Sequence, residues 1–248
     1  MGNEPGGPGP GDRASAVRRA ELAERLHQVR ERIATACSVA GRDAAEITLV
    51  AITKTRPASD VRLLYELGQR DFGENRDQEA APKAAECADL PITWHFVGQL
   101  QTNKASSVAG YADVVHSVDR VRLVRALGAA ARKAGRELTC LVQVDLDTPA
   151  DPARGGVPPG QVREIAEAIE AEQNLILGGV MAIAPLGADP VRAFAPLRPC
   201  SLAVRAVNPA AAIISAGMSG DLEAAIGNGA THVRIGTALL GARRPLVR

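Results

Sequence analysis

The chain has 248 residues, 46% hydrophobic and 23% charged, enough for one full core, and its formal net charge of +1 gives no electrostatic reason to expect nucleic acid or an anionic membrane as partner. Aromatic residues make up only 2%, which argues against base-stacking surfaces. The four cysteines (Cys37, Cys87, Cys140 and Cys200) lie far apart without CxxC spacing, so reduced, mostly buried thiols in a cytoplasmic protein are expected, and neither a disulfide framework nor a metal site.

Met1 to Gly11 is rich in Gly and Pro and lacks an apolar signal-peptide core. Residues 1–13 therefore read as a disordered tail, and 14–248 as one domain. Val17, Leu22, Leu26, Val29 and Ile33 then recur at near-helical spacing and predict an amphipathic helix that stops near Gly41. From there short apolar runs alternate with helical patterns. The predicted strands are Ile47–Thr53, Asp71–Gly73, Ile92–Val97, Val114–Ser117, Leu138–Asp145, Leu175–Ile183, Ala211–Ser215 and His232–Ile235. The helices between them are Ala58–Leu67, Arg76–Cys87, a short piece near Asn103–Val108, Arg120–Lys133, Pro159–Ala171, Pro190–Val207 and Leu222–Ile226. No apolar run reaches the roughly 18 residues of a membrane span.

Eight strands alternating with helices imply parallel βαβ units, which close most simply into a (β/α)8 TIM barrel. A doubly wound open sheet would carry a glycine fingerprint after its first strand, and Lys54-Thr55-Arg56-Pro57 is not one. The Pro- and Gly-bearing stretch Asp147–Gly160 follows the fifth strand and reads equally as a mobile lid or a plain surface loop.

Strand C-termini meet on one face of such a barrel, so residues far apart in sequence can share a site there. Lys54 ends the first strand, where loss of water favours the neutral, nucleophilic amine. Alternation places Val50, Ile52 and Lys54 on one side of their strand and His232 and Arg234 on one side of theirs. The first and eighth strands are neighbours in a closed barrel. Gly236 and Thr237 begin the segment after the eighth strand, where barrels often bind phosphate. The turn Ser215-Ala216-Gly217-Met218-Ser219-Gly220-Asp221 has the same small, hydroxyl-bearing character. An amine facing two phosphate loops suggests an aldehyde that carries a phosphate, and pyridoxal 5′-phosphate (PLP) is the obvious candidate. Bland readings stand beside these. Lys54 could be a solvated strand-end lysine, His95 a packed histidine rather than a base, and Asn75 a helix cap rather than a ligand contact. Asp145 and Asp147 could be strand-end carboxylates without a role, and Arg243-Arg244 a solvated tail.

Several stretches, in this order, resemble the pyridoxal phosphate homeostasis protein family. They are Val50-Ala51-Ile52-Thr53-Lys54-Thr55, Gly68 through Asn75 (GQRDFGEN), Trp94 through Lys104 (WHFVGQLQTNK), His116-Ser117-Val118-Asp119-Arg120, Gly217-Met218-Ser219-Gly220-Asp221 and Val233-Arg234-Ile235-Gly236-Thr237. The resemblance spans roughly Ala14 to Arg244. It implies a PLP-binding barrel like the N-terminal domain of alanine racemase. By motif position, it implies that Lys54 forms the covalent imine, Arg234 faces the pyridine nitrogen, and Gly236 and Thr237 hold the phosphate. Ser219 and Ser215 would add phosphate contacts, with Asn75 near the ring hydroxyl. Three positions depart from the family pattern: Thr53 where serine is common, Arg76 where an aromatic residue is frequent, and Arg154 where lysine is frequent.

An arginine at the ring nitrogen keeps that nitrogen unprotonated and PLP a poor electron sink. Racemases with this arrangement add a tyrosine acid/base, but Tyr65 lies in the first barrel helix and Tyr111 precedes the fourth strand. The resemblance thus implies a cytoplasmic, monomeric PLP-binding protein that buffers or delivers the cofactor, with PLP-dependent apoenzymes as recipients and little or no turnover. The competing expectations are a PLP-dependent racemase or lyase of small amino acids and, third, a lysine-imine aldolase acting on a sugar phosphate.

Overall fold

The computed structural model describes residues 10–147 and 154–242. Helix α1 (Pro10–Ala40) comes first and buries a stripe of Leu22, Leu26, Val29, Ile33 and Cys37. Burying each large aliphatic side chain in that stripe stabilises its docking by about 1.5–3 kcal/mol. The helix starts inside the stretch read as a tail; residues 1–9 lie outside the described residues. The barrel follows as β1 (Thr48–Ile52), α2 (Ala58–Glu66), β2 (Asp71–Glu74), α3 (Asp77–Glu86), β3 (Thr93–Phe96), α4 (Ala105–Ala109), β4 (Val114–Val118), α5 (Val121–Ala134), β5 (Leu138–Val144), α6 (Val162–Glu170), β6 (Leu175–Ala182), α7 (Pro190–Phe194), α8 (Leu197–Arg205), β7 (Ile213–Ser215), α9 (Leu222–Gly227), β8 (His232–Ile235) and α10 (Thr237–Leu240).

The strands pair in parallel in sequence order, and β8 returns to β1, with Val50 beside Arg234. All eight predicted strands are present, and the closed barrel is the observed architecture. β1, β5 and β6 are nearly continuous apolar runs because parallel strands are covered on both faces. Gly135, at φ 63°, supplies the left-handed residue that closes α5.

The helices differ from expectation in detail. The single helix predicted over Pro190–Val207 is two, α7 and α8, interrupted at Ala195–Pro196. Pro196 has no N–H to donate, and its ring clashes with the preceding turn. The pieces predicted near Asn103–Val108 and over Pro159–Ala171 each begin as a 3₁₀ turn, Thr102–Lys104 and Pro159–Gln161. A 3₁₀ turn at Ala44–Glu46 and helix α10 were not anticipated, being three and four residues long.

Helix α1 lies across α9, α10 and α2. Arg18 donates to Asp60 and to the Leu240 carbonyl, Arg32 to Glu223 and the Ser219 carbonyl, and Arg42 to the Ile226 and Ala230 carbonyls. The extra N-terminal helix thus fastens the elements that follow β7 and β8. In the loop read as a lid or a plain loop, residues 148–153 lie outside the described residues. Its end is tied to β5, where the Val157 N–H donates to the Gln143 carbonyl at 2.9 Å and the Asp145 N–H to the Val157 carbonyl at 2.8 Å. Among the described residues no helix is long and apolar enough to cross a membrane.

Candidate functional site

Strand alternation sets which side chains reach the barrel interior. A Cβ on Gly73 would stand 2.4 Å from Ile52 Cδ1 and 3.1 Å from Val50 Cγ1, so Val50, Ile52 and Gly73 share the inner face. Lys54, two residues beyond Ile52, continues that face. It lines a cavity of about 460 Å³ together with Asn75, Ser219, Arg234, Gly236 and Thr237. Six of the seven expected binding residues are therefore brought to one place. Directly after Lys54, Thr55 holds a left-handed backbone at φ 63°, an outlier for a β-branched residue. Its N–H donates to Glu79 Oε2 at 3.0 Å. Such strain costs on the order of 1–3 kcal/mol and concentrates at functional sites.

The two loops read as phosphate-binding meet directly. The Ala238 N–H donates to Ser219 Oγ at 3.3 Å, and the Arg234 N–H to the Gly217 carbonyl at 2.9 Å. Gly217, at φ 92°, makes this approach possible; a Cβ there would lie 2.7 Å from that of Ala225. The cavity is electrostatically one-sided. Lys54, Arg56 and Arg234 line it, and no carboxylate among the described residues does. Arg56 also donates to the Gly241 and Ala242 carbonyls at 2.7 Å, which fixes the chain beyond α10. Ile52, Val97, Ile183 and Met218 give the cavity apolar walls. On the far side Gly98 lets the chain after β3 press on Asn75, whose carbonyl oxygen would be 2.0 Å from any added Cβ. The Asn75 side chain does not cap α3; the N-cap is Arg76, without a side-chain bond.

Arg234 is buried and donates from Nη1 to Ser215 Oγ at 2.7 Å and from Nη2 to the Ala182 carbonyl at 2.8 Å. Burial pulls its pKa down to about 10, which leaves it cationic at neutral pH. Ser215, expected as a phosphate contact, does not line the cavity: it is fully buried beneath Arg234 and also bonded to His116 Nδ1 at 3.0 Å. Its strand-end position looks equivalent to the others in sequence, but Ser215 is in register with His232, two residues before Arg234. His95 likewise stays in the core, 2.9 Å from His116 and 3.0 Å from Asp71. His116 sits well below the usual histidine range, first because of burial and then because of neighbouring His95 and Arg234.

A buried cluster beside Lys54 escaped the sequence reading. Thr53 Oγ1 donates to Glu74 Oε1 at 2.7 Å, and Lys83 Nζ donates to the Thr53 carbonyl at 2.8 Å and pairs with Glu74. Desolvation raises the Glu74 pKa, and Lys83 opposes the shift. The period of two gave a signal: Thr53 and Glu74 both point away from the barrel axis, toward α3. Neither tyrosine lines the cavity; Tyr65 lies in α2 under the Arg70 guanidinium, and Tyr111 follows α4. Asp145 and Asp147 serve the loop, Asp145 Oδ1 accepting from the Asp147 N–H and Asp147 from Arg154. Among the described residues no group of three or more His, Cys, Asp or Glu could hold a metal ion.

The alanine racemase, N-terminal domain model matches residues 25–244. The pyridoxal phosphate homeostasis protein of Mycobacterium tuberculosis is 45% identical over 246 residues, covering 92% of this chain and 95% of that protein. The chain belongs to the pyridoxal phosphate homeostasis protein family. A solved structure of PipY from Synechococcus elongatus PCC7942, with PLP bound, superposes with a TM-score of 0.76 at 36% identity, covering 89% of this chain and all of that one. Alanine racemase from Corynebacterium glutamicum matches with a TM-score of 0.65 at 13% identity over 93% of this chain and 62% of its own, a likeness of fold alone. This chain thus shares the racemase barrel fold over nearly its whole length.

Proposed function

We propose that this family member binds PLP in the cavity above the strand ends and serves its intracellular homeostasis, buffering or delivering the cofactor and so influencing amino-acid and keto-acid metabolism, with little or no turnover. The single observation that carries the reading is the meeting of Lys54 and Arg234 in one cavity with two loops joined through Ser219. The donor set fits the ligand: Lys54, Arg56 and Arg234, in a lining that holds no carboxylate among the described residues, suit a phosphate ester, and apolar walls suit a flat ring.

The Lys54 amine holds the aldehyde covalently. Ser219 and the turn at Gly236 and Thr237 hold the phosphate, using N–H groups at the head of α10 that have no partner within the helix. Asn75 lies beside the ring hydroxyl, and Arg234 faces the ring nitrogen. Ser215 acts through Arg234 rather than on phosphate. PLP in enzymes supplies an electron sink for carbanions, and a guanidinium at the ring nitrogen keeps that sink weak. The only titratable groups that line the cavity among the described residues are Lys54, Arg56 and Arg234, so no carboxylate, imidazole or phenol stands ready to move a proton. A monomer in the cytoplasm that passes PLP to apoenzymes fits this reading.

Adding PLP should give wild type a visible band that borohydride fixes, with the pyridoxyl group on Lys54 by peptide mass mapping. Lys54→Ala should lose both. An adduct on another residue, or equal bands, would sink the reading. Appreciable α-proton exchange of alanine in deuterated water at a catalytic rate would instead make the protein an enzyme.

A further inference from the structure

One set of buried polar groups is left over by the site just described. It runs through the barrel interior from Arg234 in β8 to Ser215 at the end of β7, then His116 in β4, His95 in β3 and Asp71 at the start of β2. The links are 2.7, 3.0, 2.9 and 3.0 Å long. Ser215 and His116 are fully buried, and His95 nearly so. Asp71 alone reaches solvent: its side chain is 26% exposed, and it lines a second cavity, of about 440 Å³, at the N-terminal mouth of the barrel with Arg30 and Arg70.

The direction of every bond follows from the first. A guanidinium can only donate, so Ser215 Oγ accepts from Arg234. The serine proton then needs an acceptor, and His116 Nδ1 is the group within reach. With Nδ1 accepting, a neutral His116 carries its proton on Nε2 and donates to His95 Nδ1; His95 in turn donates from Nε2 to the Asp71 carboxylate. The opposite assignment needs a doubly protonated His95 or a protonated Asp71, and in either case leaves the buried serine proton without an acceptor, which costs about 1–3 kcal/mol. Only the first order satisfies every hydrogen. No carboxylate among the described residues is hydrogen-bonded to Arg234; Asp221 acts on it through space, and the carboxylate reached through bonds is Asp71, four links away.

We propose that Ser215, His116, His95 and Asp71 are positioning residues that form a one-way hydrogen-bond chain, aiming the Arg234 guanidinium at the ligand ring and linking it to the Asp71 carboxylate at the opposite mouth of the barrel. This link adds to the through-space pull of Asp221. The inference rests on the PLP reading above. The chain makes the ring environment depend on a residue that never meets the ligand. Because Arg234 has no lone pair to accept with, the chain links the two charges and does not carry protons.

The test has two arms. The protein has four histidines, His27, His95, His116 and His232, so nitrogen-15 spectra of the uniformly labelled ligand-free chain are assignable by single substitution. His116 and His95 should each show a protonated Nε2 and a bare Nδ1; a doubly protonated His95, or a proton on His116 Nδ1, would overturn the chain. In the second arm, Asp71→Asn keeps an acceptor for His95 but removes the charge, and Ser215→Ala cuts the link beside Arg234. Each should shift the visible band of bound PLP and weaken its retention about 10-fold, the lower end of what loss of an outer partner costs an oriented binding group. Ser215→Thr should restore wild-type values. Band and retention unchanged in both variants would overturn the coupling. A wild type that takes up no PLP would overturn the functional reading itself, on which the tautomer pattern does not depend.

Discussion

Two buried polar networks flank the ligand cavity, and they handle charge in opposite ways. Around Lys54, Glu74 and Lys83 touch directly, and one Glu74 oxygen, Oε2, has no hydrogen-bond partner. Around Arg234, the charges are separated by three neutral carriers, and each carrier is bonded on both sides. The first network stiffens a backbone: Lys83 holds the Thr53 carbonyl one residue before Lys54. The second orients a side chain. A direct ion pair in the core must offset the desolvation of both ions, whereas a chain of dipoles leaves the carboxylate at the solvent edge, where desolvation is small.

The largest effect should come from breaking the direct pair. Lys83→Met leaves the buried Glu74 carboxylate alone and should cost about 3–5 kcal/mol by urea unfolding, with most of it recovered in the Glu74→Gln, Lys83→Met double variant. A double variant no more stable than the single one would mean that the pair matters only for packing. Acid should next separate Glu74 from the buried imidazoles on the Arg234 side, His116 and the adjacent His232. Burial lowers the His232 pKa to about 4 and that of His116 well below its usual value. Below pH 6.5 the unfolded chain therefore binds protons that the folded chain refuses, and stability falls as pH falls toward those folded values. His232 alone should cost about 2 kcal/mol by pH 5, visible as a flatter pH profile in His232→Asn. Glu74 has the reverse sign. Its raised pKa lets the folded chain keep a proton that the unfolded chain releases, so acid relieves a penalty there and Glu74→Gln should steepen the decline. The smallest effect sets the baseline. Arg163 and Glu167 pair at 2.8 Å on an exposed face, and Arg163→Ala should change stability by less than about 0.5 kcal/mol.

The barrel was legible because its signals are local. Each strand is a short apolar run between turn residues, and the order of pairing follows from right-handed βαβ connections. The rim residues were legible for the same reason, since a parallel barrel gathers its strand ends whatever their spacing. The depth of a side chain was not. Ser215 and Ser219 look alike in sequence, but one supports Arg234 from below and the other bridges the loops. The break at Pro196 was missed because the apolar period continues on both sides of it. The Glu74–Lys83 contact was hard to see because nothing in a helix marks a lysine as inward-facing except its register against a strand nine residues earlier.

The Ser219 loop and the end of α10 are braced by a helix 187 and 222 residues earlier in the sequence. Helix α1 is bolted to α9 and α10, and β1 finds its second neighbour only in β8. A nascent chain still lacking residues 232–240 has no Arg234 and no turn at Gly236, and it leaves an open edge on β1. On the proposed reading, uptake of PLP requires residues up to 240 and so reports closure of the ring.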